Sequence, residues 1–231
     1  MADNSIASKA WYAGPLMGFD TETTGVVPRE DRIVQAAVTT AEEDRTWLID
    51  PGVSIDPAAV AIHGITDEKV RTEGTASPEA LAEIADSLRK AVDERIPVVV
   101  YNAPFDLTLL HYELERHGIP PVDFANLLVV DPLVLDKQMD RYRKGKRKLG
   151  MVASHYGVRL SDAHAALADA KCSVELARII GERFADLADL SPEDLCERQR
   201  DWYRKDKERF EAWLRSQGRE AQIDTRWPLA L

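Results

Sequence analysis

The stretch that decides the fold is MGFDTETTG, residues 17–25, a short apolar run that leads into two carboxylates. Side chains alternate between the two faces of a strand, so Asp20 and Glu22 are predicted to project from one face while Thr21 turns away. Like charges held together are hard to bury unless a cation lies between them. The pattern favours a divalent metal ion bound by oxygen ligands, and the alternative is an acidic turn at a strand end.

Composition describes an ordinary globular chain. The 231 residues are 45% hydrophobic and 30% charged, which suits one domain with an appendage or two small domains, and we favour the first. The net charge of −10 argues against polyanion binding through overall charge, so a nucleic acid would have to meet a local basic patch. Two cysteines, no leader-like start and no long apolar run predict a reduced, cytoplasmic protein without a membrane anchor.

The order of apolar segments predicts a mixed α/β sheet. Strands are expected at 16–20, 33–39, 46–50, 97–101 and 127–131. Helices are expected at about 56–63, from 77 onward, and at 104–117, 132–139, 148–156 and 163–184. The first three strands form an antiparallel meander, whereas the later two are short apolar runs typical of buried parallel strands. Alternation of helix and strand after a meander indicates a sheet covered on both faces.

Three parts are expected along the chain. They are a loose arm at 1–13, a main domain at 14–186 and a charged helical extension at 187–231. Trp11 and Tyr12 in the arm can pack on the domain edge. In the extension, a capped helix starts at 191–193, and its apolar stripe of Trp202, Phe210, Trp213 and Leu214 is interpreted as packing surface. Docking back on the domain is favoured over dimerisation or partner binding.

Further acids follow at two other helix starts. Asp106 comes after the predicted strand 97–101, where active sites of α/β sheets gather, although the helix dipole alone also favours an acid there. His164 precedes Asp169 by five residues, which on a regular helix would separate their side chains by about 140°. The two can therefore act together only if His164 lies in the loop before the helix.

These motifs together resemble the DEDDh exonucleases. This DnaQ-like family includes the proofreading subunit of bacterial replicative polymerases, ribonuclease T and oligoribonuclease. Residues 19–25, 102–106 and 164–169 match its first, second and third motifs, and 62–66 resembles a segment placed beside the terminal nucleotide. The resemblance covers about residues 16–184 and implies a ribonuclease-H-like fold, an antiparallel meander followed by parallel strands and flanked by helices.

The resemblance also implies a mechanism. Asp20, Glu22, Asp106 and Asp169 would hold two magnesium or manganese ions, which stabilise the attacking and leaving oxygens of phosphodiester hydrolysis. His164 would be the general base, since its ordinary pKa suits neutral pH.

Substrate contacts are expected around this centre. The residues nominated are Thr23 and Thr24 through their backbone, then His63, Ile65 and Phe105, and the cations Lys144, Lys146 and Arg147. Phe105 is equally well interpreted as a residue of the hydrophobic core. Asn102 is expected to stabilise the turn before the helix rather than contact the substrate. The segment 141–148 carries six basic residues in eight, which predicts either phosphate contacts upstream of the 3′ end or a solvated loop.

The expected activity is a metal-dependent 3′→5′ exonuclease that prefers DNA, of the proofreading or repair type. An RNA-trimming enzyme is the rival within the class, because nothing in the motifs reads the 2′-hydroxyl. A non-catalytic interaction module is disfavoured, because all four acids and the histidine are present. Association with a polymerase, or self-association through the extension, stays open, and no convincing clamp-binding segment is found.

Overall fold

The computed structural model describes residues 10–161 and 163–231, so residues 1–9 of the expected arm, and Asp162, lie outside the described part. A single mixed sheet has the strand order β4-β3-β2-β1-β5-β6. Its strands are β1 (Met17–Thr23), β2 (Ile33–Thr39), β3 (Asp44–Asp50), β4 (Thr75–Ala76), β5 (Val98–Val99) and β6 (Val129–Val130). β1, β2 and β3 pair antiparallel, whereas β5 pairs parallel with both β1 and β6. The predicted fold class is confirmed.

The helices are α1 (Pro57–His63), α2 (Asp67–Glu73), α3 (Ser77–Asp93), α4 (Ala103–Arg116), α5 (Pro132–Met139), α6 (Leu149–Tyr156), α7 (Ala166–Arg183), α8 (Ala185–Ala188) and α9 (Pro192–Ser216). The predicted helix start at 163 is wrong, because the chain turns at His164 with a φ of 69° before α7 begins. β4, α2 and α8 were not predicted, since each is short and carries no distinctive apolar period. None of the helices within 10–161 and 163–231 is long and apolar enough to cross a membrane.

Two hydrophobic clusters cover the sheet. One joins β1 and β2 to α3 and α4, with Phe19, Leu81 and Leu107 fully buried. The other joins β5 and β6 to α6 and α7. α7 lies so close to β1 that a Cβ on Gly18 would come within 2.8 Å of the Ala170 carbonyl oxygen, so only glycine fits there. This close approach brings the start of α7 to the acidic end of β1.

The C-terminal extension packs into the main domain. Gln199 of α9 is fully buried and pairs with the edge strand β6: its Nε2 donates to the Val129 carbonyl at 2.9 Å, and its Oε1 accepts from the Asp131 amide at 2.7 Å. Trp227 belongs to the hydrophobic cluster that joins β1 and β2 to α3 and α4, the main cluster of the protein. The glutamine thus satisfies backbone groups of an edge strand that water or another chain would otherwise meet.

The first described residues also pack on this body, beside α8. Trp11 is buried, and its Nε1 donates to the Leu187 carbonyl at 2.8 Å, so the expected edge packing of Trp11 is observed. The predicted packing stripe of α9 is only partly correct. Trp202 packs against the clusters, whereas Phe210 and Trp213 are exposed and stack on each other, with centroids 5.8 Å apart.

Candidate active site

The first two acids lie at the carboxyl end of β1. Asp20 and Glu22 occupy alternate positions of the strand, opposite Ala37 and Gln35 of β2. Asp20 is half-buried and Glu22 buried, with 9% of its surface exposed. The strand therefore presents two carboxylates on one face, in surroundings with little water to screen their repulsion.

The third acid is held in place by a residue that sequence reasoning missed. Asp106, buried in the first turn of α4, accepts hydrogen bonds from the Thr21 amide at 3.1 Å and the Thr21 hydroxyl at 2.6 Å. Strand alternation had indicated that Thr21 turns away from Asp20 and Glu22, and that direction leads to Asp106. Thr21 thus joins the first motif to the second.

The fourth acid and the histidine lie at the start of α7. The His164 amide donates to Asp169 Oδ2 at 3.3 Å, across the turn that its positive φ creates. The Ala166 amide has no carbonyl partner within the helix, because it lies in the first turn, and it donates instead to Gln35 Oε1 at 3.1 Å. His164 is exposed and lies in the loop before the helix, so the geometric condition for joint action with Asp169 is met.

Ligand atoms converge between β1 and α7. One ligand atom from each of Glu22, His164 and Asp169 lies within 4.8 Å of the other two. Asp169 Oδ1 is buried without a hydrogen-bond partner in the described chain. Carboxylate oxygens suit hard divalent cations, and an orphaned buried oxygen is costly unless a ligand completes its coordination.

The electrostatics of the four acids also fit a cation. Burial, together with Asp106, Asp169 and Glu22, raises the pKa of Asp20 well above its usual value. Burial and the Asp169 and Asp106 carboxylates raise the pKa of Glu22 to about 7. Burial raises the pKa of Asp106 to about 7 despite the Thr21 hydrogen bonds, and burial raises the pKa of Asp169 as well. Ionisation of all four carboxylates at neutral pH is therefore disfavoured unless positive charge lies among them.

A buried aspartate fixes the turn before α4. Asp131 accepts hydrogen bonds from the amides of Asn102 and Ala103, each at 3.0 Å, and from that of Leu133 at 2.9 Å. Asn102 adopts a left-handed conformation with a φ of 63°. The expected role of Asn102 as a turn residue agrees with this geometry. Asp131 was not identified from the sequence, because its partners are backbone amides that no motif displays.

His63 and Thr23 contact each other beside the acids. The Ile65 amide donates to His63 Nδ1 at 3.0 Å, which leaves Nε2 as the protonated nitrogen, 3.2 Å from the Thr23 carbonyl oxygen. Burial, with His164 nearby, lowers the pKa of His63. His63 is therefore a neutral imidazole that fixes the backbone of the first motif.

Three other residues nominated for substrate contact make hydrogen bonds or packing contacts within the protein. The Thr24 amide donates to the Arg32 carbonyl and its carbonyl accepts from the Asp56 amide, so the expected backbone approach to a nucleotide finds those groups in use. Ile65 is buried in a small cluster with Val34 and Val70. Phe105 is half-buried against the main cluster, in line with the core interpretation.

The basic loop divides into two kinds of cation. Lys144 and Lys146 are exposed. Arg147 instead donates to Asp136 Oδ2 at 2.5 Å and to the Asp140 carbonyl at 2.6 Å, and Asp136 is fully buried. The expectation that Arg147 faces a phosphate does not fit this geometry, because its guanidinium compensates a buried carboxylate.

The comparison with known families decides the lineage of this site. Residues 17–177 match the RNase_T family model, described as an exonuclease. The chain belongs to the RNase_T exonuclease family. This result confirms the resemblance to DnaQ-like exonucleases, and the matched stretch contains all four acids and His164. The whole C-terminal extension, residues 187–231, lies beyond the matched residues.

Relatives of this RNase_T-family chain include larger proteins. The DNA polymerase III PolC-type protein of Streptococcus suis is 31% identical over 166 residues, which are 68% of this chain and 10% of that protein. The DNA polymerase III subunit epsilon-like protein of Rhodobacter capsulatus is 39% identical over 100 residues, 40% of this chain and 13% of that protein. The chain thus spans about a tenth of the length of these relatives.

Solved structures share the fold. E. coli Exonuclease I in complex with a dA16 oligonucleotide matches with a TM-score of 0.67 and 21% identity, over 76% of this chain and 42% of that chain. Exonuclease I from Methylocaldum szegediense matches with a TM-score of 0.62 and 24% identity, over 75% and 41%. At these identities the likeness concerns the fold of the RNase_T exonuclease domain.

Proposed function

We propose that the protein is a metal-dependent 3′→5′ exonuclease that removes nucleotides from the 3′ end of DNA. The observation that carries the proposal is the cluster of ligand atoms from Glu22, His164 and Asp169 at the end of β1. Burial raises the pKa values of all four acids, and neighbouring carboxylates of the site raise those of Asp20 and Glu22 further. Such a set is unstable as a purely structural feature and suits a site that binds cations.

Asp20, Glu22, Asp106 and Asp169 would hold two magnesium or manganese ions. When bound, these ions would offset the charge of the phosphate and stabilise the attacking and leaving oxygens. The protein itself supplies fixed positions for the four carboxylates, since two come from one strand and two from the first turns of α4 and α7.

His164 would act as the general base. Its imidazole is exposed, which leaves it free to accept a proton from a water molecule, while its amide is tied to Asp169. A neutral imidazole has a free ring nitrogen that can take that proton. The exposed Lys144 and Lys146 would contact phosphates upstream of the 3′ end.

DNA is proposed as the substrate because the relatives of this family bear DNA polymerase III names, and an Exonuclease I of the same fold is described in complex with a DNA oligonucleotide. Membership of a polymerase assembly would fit the same names. The proposal would be revised to RNA trimming if RNA were the better substrate.

An end-labelled degradation assay tests the proposal. The substrates are single-stranded DNA, duplex DNA with a mismatched 3′ end and RNA, each 5′-labelled and incubated with magnesium, manganese or a chelator. We expect a ladder that shortens from the 3′ end, that requires metal, and that an Asp20→Asn variant does not produce. Failure to degrade any substrate with either metal would contradict the proposal.

A further inference from the structure

A groove lies between α5, α9 and the turn that begins α4. Its lining includes Lys137, Lys207 and Arg209, together with Asn102, Tyr203 and the acid Asp206. The groove lies on the active-site edge of the sheet, because β1, β5 and β6 run parallel and their carboxyl ends share that edge. Asn102 precedes Asp106 by one helical turn, about 6 Å along α4. Residues of α9 thus share a groove with the turn that begins α4, the helix that carries Asp106.

Lys207 in this groove forms no ion pair of its own, although the carboxylates of Asp206, Asp131 and Asp224 act on its charge from nearby. Its ammonium lies 4.8 Å from the centroid of the Tyr203 ring, and within residues 10–161 and 163–231 it makes no ion pair or hydrogen bond. The neighbouring cations do form ion pairs. Lys137 binds the Asp206 carboxylate at 2.8 Å, and Arg209 lies 3.7 Å from the same carboxylate. Burial and the Lys137 charge lower the pKa of Lys207, against smaller opposing effects of the Asp206, Asp131 and Asp224 carboxylates. A half-buried cation in this state favours an anionic ligand.

The cations of the groove continue into the basic loop. Gln138 lines the groove, and its Oε1 accepts a hydrogen bond from Arg141 Nη2 at 3.4 Å. Arg141 opens the loop that carries the exposed Lys144 and Lys146. A basic strip thus runs from α9 across the end of α5 to the loop, on a protein whose net charge is −10.

We propose that this basic strip, anchored by Lys207, binds the phosphates of a single nucleic-acid strand upstream of the 3′ end that the acidic centre receives. The inference rests on the proposed function and gives the C-terminal extension a part in substrate binding. Phe210 and Trp213 lie one to two turns further along α9, exposed and stacked, and offer a surface on which a base can stack.

Three variants test the strip. Lys207→Gln removes the charge and Lys207→Arg keeps it, while Lys205→Gln is the matched control, since Lys205 is exposed on the same helix and already paired with Asp201 at 2.5 Å. Each is assayed on a DNA strand of about 12 nucleotides, which is long enough to span the strip, and on the p-nitrophenyl ester of thymidine 5′-phosphate, which is not. Thermal unfolding curves verify that all three fold alike.

We expect Lys207→Gln to raise KM for the oligonucleotide about five- to tenfold, with kcat and the turnover of the small ester unchanged. The slope of log KM against log salt should fall by about 0.7, the value for one phosphate contact to a single strand. Lys207→Arg and Lys205→Gln should behave like the unaltered protein. An unchanged KM, or an equal rise for both substrates, would overturn the inference.

A binding measurement separates the inference from the proposed function. Fluorescence anisotropy of the same labelled oligonucleotide, in chelator, reports binding without turnover. Weaker binding by Lys207→Gln alone supports the strip even if no substrate is hydrolysed, whereas hydrolysis by a protein whose Lys207→Gln variant binds normally would refute the strip and leave the exonuclease proposal intact.

Discussion

Replacing Glu22 by Gln should stabilise the metal-free protein at alkaline pH. The carboxyl of Glu22 has an ordinary value of 4.5, and burial with the neighbouring Asp169 and Asp106 raises its pKa to about 7 in the folded state. The folded protein therefore binds this proton more tightly than the unfolded chain, and its stability falls as pH rises from 4.5 to about 7. A neutral amide of the same shape does not carry this loss.

The size of the effect follows from the pKa difference. At pH 8 the ionised Glu22 should cost about 3 kcal/mol of unfolding free energy, which for a chain of this length is roughly 6–12 °C in Tm. Near pH 4.5 the cost should be close to zero, because the carboxyl is then largely protonated in the folded state. The comparison is made without metal, since a bound cation would compensate the carboxylate.

Unfolding by heat, followed by circular dichroism in chelator at several values between pH 5 and 8, measures the difference between Glu22→Gln and the unaltered protein. Glu182→Gln, at an exposed position of α7, is the control for removing one negative charge. Added magnesium should raise the Tm of the unaltered protein and narrow the gap. A Glu22→Gln variant that is less stable at pH 8, or equally shifted at pH 5 and pH 8, would refute the electrostatic reasoning.

Three further predictions concern catalysis. His164→Ala should keep most metal binding, measured by calorimetry, and lose most turnover, whereas Asp20→Ala should lose both; equal and total loss of metal binding would count against these roles. Thr21→Val should raise the metal concentration for half-maximal activity roughly tenfold or more, because Asp106 loses a charge-assisted hydrogen bond, while Thr21→Ser should restore it. The double substitution Lys144→Ser and Lys146→Ser should raise KM and flatten its salt dependence. An unchanged salt slope would contradict the assignment of phosphate contacts to these two lysines.

Local sequence patterns predict much of the fold. The period of two in β1 placed Asp20 and Glu22 together, and the apolar meander and the later buried strands gave the sheet its mixed character. Helix boundaries are harder to predict from the sequence where the first turn depends on a partner that is distant along the chain. α7 begins at Ala166 because its first amide is met by Gln35 of β2, which no local pattern can report.

The nominated substrate contacts were the least predictable part. Arg147 and Ile65 looked like surface or pocket residues in a linear motif, but their surroundings are a buried Asp136 and a small apolar cluster. Burial of this kind depends on elements far apart in the chain, so composition and spacing do not reveal it.

The sequence by itself determined the acidic residues, their order and the alternation that joins them, because these depend on identity and on the geometry of a single strand. The tertiary structure decided which groups hold the acids in place. Asp106 accepts a hydrogen bond from Thr21, which lies 85 residues away in the chain. Gln199 forms hydrogen bonds with the backbone at the end of β6, about 70 residues away. Such contacts arise only when packing brings distant backbone and side-chain groups together and removes the water that would otherwise satisfy them.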